Sequence, residues 1–330
     1  MAMKSWTSFF FFILTALSFG EPSSGYQGVN WADARDNFVD GKIIPSGIDE
    51  EASLAEVERQ AHGILSQLKE LLGINTVRLG INPDTVGDAD YWLKYQAIIA
   101  QAKKLKLKVI LACWEGASTR DGKIDDIQAF HKMWELVLRD LSKSEHVHFE
   151  AFNEPYGYSE SEWREIAAGW LEKALPKMPN RARILISGSG YNEWLSHVGA
   201  DERFKGCHLS FHLYAWFGGK HRDREGWVKE IQERIGEANA HRTIVTEWGA
   251  SMKSTPQDFY EQSKLEGRSK TRAFIIAMAD VINEWKMGSV YWPGLCDGDR
   301  FSLTNRNDDK LEITNDSGKR QVLKSFRRSP

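Results

Sequence analysis

From residue 26 onward the chain alternates two kinds of hydrophobic pattern. Short runs rich in β-branched and aromatic residues fall at 26–31, 74–82, 108–114, 146–153, 182–188, 206–214, 242–248 and 288–293. After each comes a segment of helical character, at 53–73, 88–107, 126–144, 159–177, 194–204, 223–239, 271–286 and 317–327. In the first, Leu54, Val57, Ala61, Leu65, Leu68 and Leu72 form one apolar stripe at helical spacing. Asp88 or Asp90 can cap the second, and Ser159 stands three residues before Glu162 at the start of the fourth. Strands separated by helices of this length pair in parallel, because a parallel neighbour is reached only by a long crossover. Eight such units predict an α/β fold, a (β/α)8 TIM barrel forming one domain over residues 21–330. A doubly wound sheet is the structural alternative, and the lack of a dinucleotide fingerprint after the first strand counts against it. No Pro-, Gly- or Ser-rich stretch divides the chain. The longest aperiodic segment, 252–270, is polar and predicts a loop over the top face of the barrel.

The first twenty residues follow a different pattern. Lys4 is the only charge before Glu21, Phe9 to Leu17 is apolar apart from Thr15, and Ser18 and Gly20 are small. This predicts a secretory signal peptide over 1–20 and a secreted, extracellular product. The apolar run is shorter than the roughly 20 residues of a spanning helix. Secretion would expose Cys113, Cys207 and Cys296 to an oxidising compartment, where an odd count leaves at least one thiol unpaired within the chain. Asn315-Asp316-Ser317 is a glycosylation sequon.

Composition narrows the function classes. The 330 residues carry a formal charge of −3, which argues against nucleic-acid partners and against electrostatic attachment to a membrane. Aromatic residues are abundant, with 13 Trp, 16 Phe and 9 Tyr. They fit either a core or a cleft that stacks flat ligands such as sugar rings. Neither a metal nor another cofactor is called for, and a monomer is expected.

In a barrel of this kind the chemistry sits at the carboxyl ends of the strands. Two carboxylates, Glu154 and Glu247, each follow an apolar strand, where an unpaired charge is costly to bury. Glu150 shares the parity of Glu154 and is either a support for the site or half of a buried ion pair. Two carboxylates flanking an aromatic cleft suit glycosidic cleavage: one protonates the leaving oxygen, and the other attacks the anomeric carbon or activates water. A nearby Arg78 would hold one of them ionised. His212 and Tyr214 can hydrogen-bond a carboxylate or a sugar hydroxyl, and Trp292 offers a flat face to a pyranose.

Phe149-Glu150-Ala151-Phe152-Asn153-Glu154-Pro155 resembles the strand-four signature of clan A glycoside hydrolases. With Glu247-Trp248-Gly249 after the seventh strand, the chain from Gly28 to Trp292 resembles glycoside hydrolase family 5, which includes many cellulases and mannanases. The resemblance implies a retaining enzyme with Glu154 as general acid/base and Glu247 as nucleophile. It implies that Asn153 binds the sugar 2-hydroxyl, that Arg78 and Tyr214 hold Glu247, that His212 supports Glu154, and that Trp292 floors a sugar subsite. The two carboxyl groups should then lie ~5–5.5 Å apart, against ~6.5–9.5 Å for an inverting pair.

The chain departs from the family at the end of strand three, where Trp114-Glu115 stands in place of the usual His. Glu115 is expected either to bind a sugar hydroxyl or to raise the acid/base pKa by like-charge repulsion. Trp31, Trp114, Trp216 and Trp248 are candidates for a stacking track, and Asp297, Asp299 and Arg300 for the cleft rim. The expected substrate is a β-linked glucan polysaccharide or oligosaccharide, cut in the manner of an endo-β-glucanase. The alternatives are a β-mannanase, an exo-acting β-glucosidase or transglycosylase, and a non-catalytic carbohydrate-binding barrel. A metal-dependent barrel hydrolase is disfavoured, because the nine His are scattered and His146-x-His148 starts a strand rather than ending one.

Overall fold

The computed structural model describes residues 22–216, 223–253 and 270–326. Residues 1–20, expected to be a signal peptide, and most of the polar insert lie outside the described residues. Eight strands form the barrel: β1 (Gln27–Trp31), β2 (Thr76–Ile81), β3 (Lys108–Cys113), β4 (Val147–Glu150), β5 (Ile184–Ser187), β6 (His208–Tyr214), β7 (Thr243–Gly249) and β8 (Gly288–Leu295). They pair in parallel in sequence order, and β1 also pairs with β8, which closes the ring. The predicted (β/α)8 barrel is therefore the fold. A hairpin of β9 (Thr304–Asn307) and β10 (Lys310–Ile313) extends the sheet beyond β8. It went unpredicted because its alternating pattern is short and largely exposed.

The helices are α1 (Leu54–Leu72), α2 (Pro83–Gly87), α3 (Ala89–Lys104), α4 (Ile127–Leu141), α5 (Glu160–Ala174), α6 (Ser189–Asn192), α7 (Ser196–Ala200), α8 (Arg224–Ile235), α9 (Glu237–Ala240), α10 (Lys270–Glu284) and α11 (Asp316–Val322). The stripe read from the sequence is the buried face of α1, where only Leu54 stands exposed. Ser53 caps this helix, Asp88 caps α3, and Ser159 with Glu162 forms a capping box on α5. The expected helices at 194–204 and 223–239 are shorter than predicted, and the one at 317–327 gives only α11 and a 3-10 turn. Segment 194–204 yields only α7 and a following 3-10 turn, and Gly236 at φ +75° separates α8 from α9.

The largest core lies between strands and helices, and includes Trp31 and Trp248. These two indoles are thus core residues and not part of a stacking track. A small plug of Tyr26, Ile110, Leu185, Ile244 and Val290 is a separate apolar cluster. A third cluster joins Phe38, Trp114, Tyr214 and Trp292. Cys113, Cys207 and Cys296 are all buried and free. No described helix is long and apolar enough to cross a membrane.

Candidate active site

The polar residues inside the barrel surround one cation. Arg78 on β2 is buried, and its planar guanidinium serves four acceptors. Its Nε donates to Glu150 Oε2 at 2.7 Å, and its Nη2 to Asn153 Oδ1 at 2.8 Å. Its Nη1 donates to Glu247 Oε1 at 2.5 Å and to Asn30 Oδ1 at 3.0 Å. Glu150 is fully buried and also accepts from Ser210 Oγ at 2.7 Å. Of its two sequence-based readings, the ion pair describes its contacts, and that pair belongs to the same network as Glu247.

Two local distortions aim the carboxylates. Pairing between β6 and β7 shifts register between Phe211 and His212, so that Phe211 faces Val245 but His212 faces Glu247. Thr246 is the extra residue of this bulge, a device that re-aims side chains. Thr246 turns inward to meet Ser210, and Glu247, its immediate neighbour, turns inward as well. At the other carboxylate β4 ends at Glu150, three residues sooner than expected. Glu154 sits beyond it in the left-handed region at φ +51°, which lets Asn153 and Glu154 both face the site.

The surroundings of the two carboxylates differ. Glu247 receives Arg78 on Oε1 and the Tyr214 hydroxyl on Oε2 at 3.1 Å. Glu154 Oε1 lies 2.9 Å from His212 Nδ1, and its Oε2 makes no hydrogen bond among the described residues. Burial and then the charge of Glu247 push Glu154 well above the usual carboxylate range. Burial also raises Glu247, to about 7, against the downward pull of Arg78. Of these two carboxylates Arg78 touches Glu247 and not Glu154, so Glu247 is the group of the pair that ionises first. Burial and the charge of Arg78 hold His212 well below its ordinary value, so its ring is neutral. An oxygen of each carboxylate and a ring nitrogen of His212 all lie within 4.8 Å of one another.

Glu154, Glu247 and Tyr214 open into a cleft of about 450 Å³. Trp114 and Trp292 stack at 5.4 Å along it, and the Trp114 indole Nε1 is buried without a partner among the described residues. Asn153 Nδ2 is likewise a buried donor without a partner. Trp216, 55% exposed, stacks on Tyr214 at 4.4 Å and on Phe301 at 5.4 Å. A second stacked pair, Tyr156 and Tyr191 at 4.1 Å, also lines the cleft.

The site thus brings together Glu154, Glu247, Arg78, Asn153, His212, Tyr214, Trp292 and Trp114. Glu115 lies elsewhere. Its Oε2 accepts the backbone N–H groups of Gly122 and Lys123, so it anchors the loop after β3 and does not line the cleft. Glu154 is raised by burial and by Glu247, not by Glu115. Asp299 and Arg300 line the cleft, whereas Asp297 pairs with Arg306 at 2.6 Å outside it. The sequence reading missed Asn30 on β1, Tyr191 and Asn192 in the irregular α6, and the loop residues Tyr156, Asp36 and Arg120, which carry no periodic signal. The sequon residue Asn315 caps α11, its Oδ1 accepting from Gly318 N.

A closed parallel barrel carrying two unequal carboxylates at its carboxyl end has the architecture of a glycosidase. The model for Cellulase (glycosyl hydrolase family 5) matches residues 56–293, and the chain belongs to this family. It is accordingly an enzyme that hydrolyses O-glycosyl bonds. No curated relative matches the chain. Among solved structures it is similar to an endocellulase from Pyrococcus horikoshii in complex with cellotetraose, with 15% identity and a TM-score of 0.69 over 91% of this chain and 92% of that one. A family 5 xyloglucanase from Paenibacillus pabuli matches with 13% identity and a TM-score of 0.64, over 92% of this chain and 99% of that one. The catalytic domain of the major endoglucanase from Xanthomonas campestris matches with 14% identity and a TM-score of 0.64, over 91% and 94%. At these identities the likeness is one of fold.

Proposed function

We propose that the protein is a secreted, retaining β-glycosidase of endo-β-glucanase type, with Glu247 as nucleophile and Glu154 as general acid/base. The observation that carries the reading is the short, unequal carboxylate pair. Oxygens of Glu154 and Glu247 approach to within 4.8 Å, which supports the ~5–5.5 Å carboxyl spacing of a retaining pair over the ~6.5–9.5 Å of an inverting one. Glu247, ionised first, attacks the anomeric carbon as the bond to the leaving oxygen breaks, and the proton of Glu154 passes to that oxygen. Water then attacks the glycosyl–enzyme bond, gives its proton to Glu154 and frees Glu247. Tyr214 and Arg78 hold the attacking carboxylate in place. The unpartnered Nδ2 of Asn153 is a donor suited to the sugar 2-hydroxyl, and Trp292 with Trp114 supplies an aromatic floor. Family membership and the endocellulase and xyloglucanase folds support a β-glucan substrate.

The test is a glycan panel of β-glucans, β-mannan, xylan and aryl β-glycosides, read by proton NMR at early times. Retention of the β-anomer on a glucan is expected, with loss of turnover in Glu154→Ala and Glu247→Ala. External azide should give the inverted sugar azide with Glu247→Ala and the retained one with Glu154→Ala. An inverted initial product refutes the mechanism. Sole activity on mannan, release of single sugars only, or transfer to added acceptors moves the substrate or acceptor assignment and leaves the carboxylate roles standing. Secretion is checked separately, by mass spectrometry of the exported chain, expected to begin at Glu21.

A further inference from the structure

The chemistry just described leaves unused a fully buried amide that borders it, that of Asn192. Asn192 closes α6, after β5, in a left-handed conformation at φ +56° that Asn tolerates better than most residues. Its amide touches the acid/base apparatus on both sides. Oδ1 accepts the backbone N–H of Glu154 at 3.0 Å. Nδ2 lies 2.9 Å from Ser210 Oγ, 3.2 Å from Glu150 Oε1 and 3.4 Å from His212 Nε2.

We propose that Asn192 is a positioning residue that holds the backbone of Glu154 and sets the ring tautomer of His212 through a single amide. This rests on the reading of Glu154 as acid/base.

The argument is one of donors and acceptors. The Glu154 N–H can only donate, so the atom facing it must be the amide oxygen, and the amino group must face Ser210, Glu150 and His212. An amino group beside His212 Nε2 requires a lone pair there. The ring hydrogen of the neutral imidazole is then on Nδ1, from which it reaches Glu154 Oε1 at 2.9 Å. With Oε1 occupied as an acceptor, the proton of the neutral Glu154 acid resides on Oε2, the oxygen without a protein partner among the described residues. The proton is thus left available to a leaving oxygen. The same amide steadies the left-handed backbone of Glu154, a strained conformation for a side-chain-bearing residue. His212 is faced by Glu154 beyond β4, Glu247 of β7, Arg78 of β2 and Asn192 beyond β5. Among the described residues Asn192 is the one that hydrogen-bonds Nε2.

Asn192→Asp is the discriminating variant. It keeps the acceptor for Glu154 N–H and the side-chain volume, but places an oxygen opposite His212 Nε2. That oxygen draws the ring hydrogen onto Nε2 and strips Nδ1 of its donor. In the full chain, kcat on barley β-glucan should fall about 10–100-fold, part of the 10²–10⁴-fold that a positioned acid supplies. KM should change little. The loss should shrink on 2,4-dinitrophenyl β-cellobioside, whose leaving group needs no proton, and the basic limb of the kcat/KM profile should move. A role in packing alone would give neither the leaving-group dependence nor the moved limb. In the wild-type protein a long-range proton–nitrogen NMR spectrum should show His212 as the Nδ1–H tautomer, a readout that needs no variant. An Nε2–H ring in the wild type overturns the proposal, as does a folded Asn192→Asp with wild-type kcat and pH profile. Glu154→Ala on the same two substrates separates the failures. If Glu154→Ala loses polymer activity selectively and Asn192→Asp does not, only this inference falls. If Glu154→Ala shows no leaving-group dependence, the acid/base reading falls with it.

Discussion

Replacing Arg78 by Met tests the electrostatic design most directly. The substitution keeps a long apolar stem and removes the one cation bonded to two buried carboxylates, Glu150 and Glu247. Breaking a buried pair by deleting one partner costs about 3–5 kcal/mol, because the remaining charge stays desolvated. Here two anions and two amide oxygens, those of Asn30 and Asn153, lose their donor together. Some of the cost is escaped when Glu247 takes up a proton. The melting temperature should therefore fall by at least about 6 °C, at roughly 2 °C per kcal/mol for a chain of this size. The effect on activity follows from the same charge. Arg78 draws the pKa of Glu247 downward, and an adjacent guanidinium is worth about 1–3 units to a carboxylate. Its removal moves the acid limb of the kcat/KM profile to higher pH. Below neutrality the ionised nucleophile becomes scarcer by about 10–1,000-fold. Activity should not recover fully at high pH, because Glu154 then begins to ionise as well.

The assay is kcat/KM on an aryl β-cellobioside between pH 4 and pH 9, beside a thermal melt at each pH. Arg78→Lys is the control. It keeps the charge but cannot present a planar fork to four acceptors, so it should lose stability while moving the acid limb less than Arg78→Met does. An acid limb that superimposes on the wild type in Arg78→Met would refute the reasoning, because Arg78 would then not govern the ionisation of Glu247.

Glu115→Ala should cost about 1–3 kcal/mol by orphaning the N–H of Gly122, while KM for glucan stays near the wild-type value. A large rise in KM would restore Glu115 to the sugar site. Burial raises the Glu115 carboxyl to about 7, above its unfolded value. Its contribution to stability is therefore complete below the unfolded value and lost as pH rises through about 7, so Glu115→Gln should gain melting temperature relative to wild type at pH 8 but not at pH 4. Gly122→Ala should disorder the same loop, because a Cβ there would lie 2.4 Å from Gly157 N and 2.6 Å from the Tyr156 ring. Proteolytic sensitivity of the loop would report it. Trp292→Ala should raise KM more than it lowers kcat, since it removes stacking area and no charge. Chelation by EDTA should leave activity unchanged: Glu154, His212 and Glu247 are close enough to ligate an ion, but burial keeps Glu154 protonated and Glu247 Oε1 is already bonded to Arg78.

The barrel was legible because its signals are local and periodic. The α1 stripe, the Ser159–Glu162 capping box and the short β-branched runs each report one element. Glu154 and Glu247 were legible as residues, since a carboxylate closing an apolar strand has few bland uses. Their geometry was not. Strand alternation puts Thr246 and Glu247 on opposite faces, and only the bulge against β6 brings both inward. Likewise Asn192 reaches the site through three irregular residues, of which Gly190 has φ +64° and ψ −140°. Glu115 was misplaced because adjacency to Trp114 in sequence says nothing about direction once β3 has ended at Cys113.

The two carboxylates have nearly the same sequence setting, a glutamate at the end of an apolar strand, and nearly the same burial. What separates them is which neighbours reach each one. A cation and a phenol reach Glu247, whereas a neutral imidazole reaches Glu154. Burial raises both, so the difference between them rests on Arg78, and Arg78 is shared with Glu150. Glu150 therefore does more than satisfy the guanidinium. It draws one edge of the cation away from Glu247 and fixes its plane, so that Nη1 faces the nucleophile and Nη2 faces Asn153. It also accepts from Asn192, the amide that borders His212. The nucleophile side and the acid side are thus tied to one buried anion at the floor of the site. A change at Glu150 should disturb both carboxylates at once, while a change at Tyr214 or at Asn192 should disturb only one.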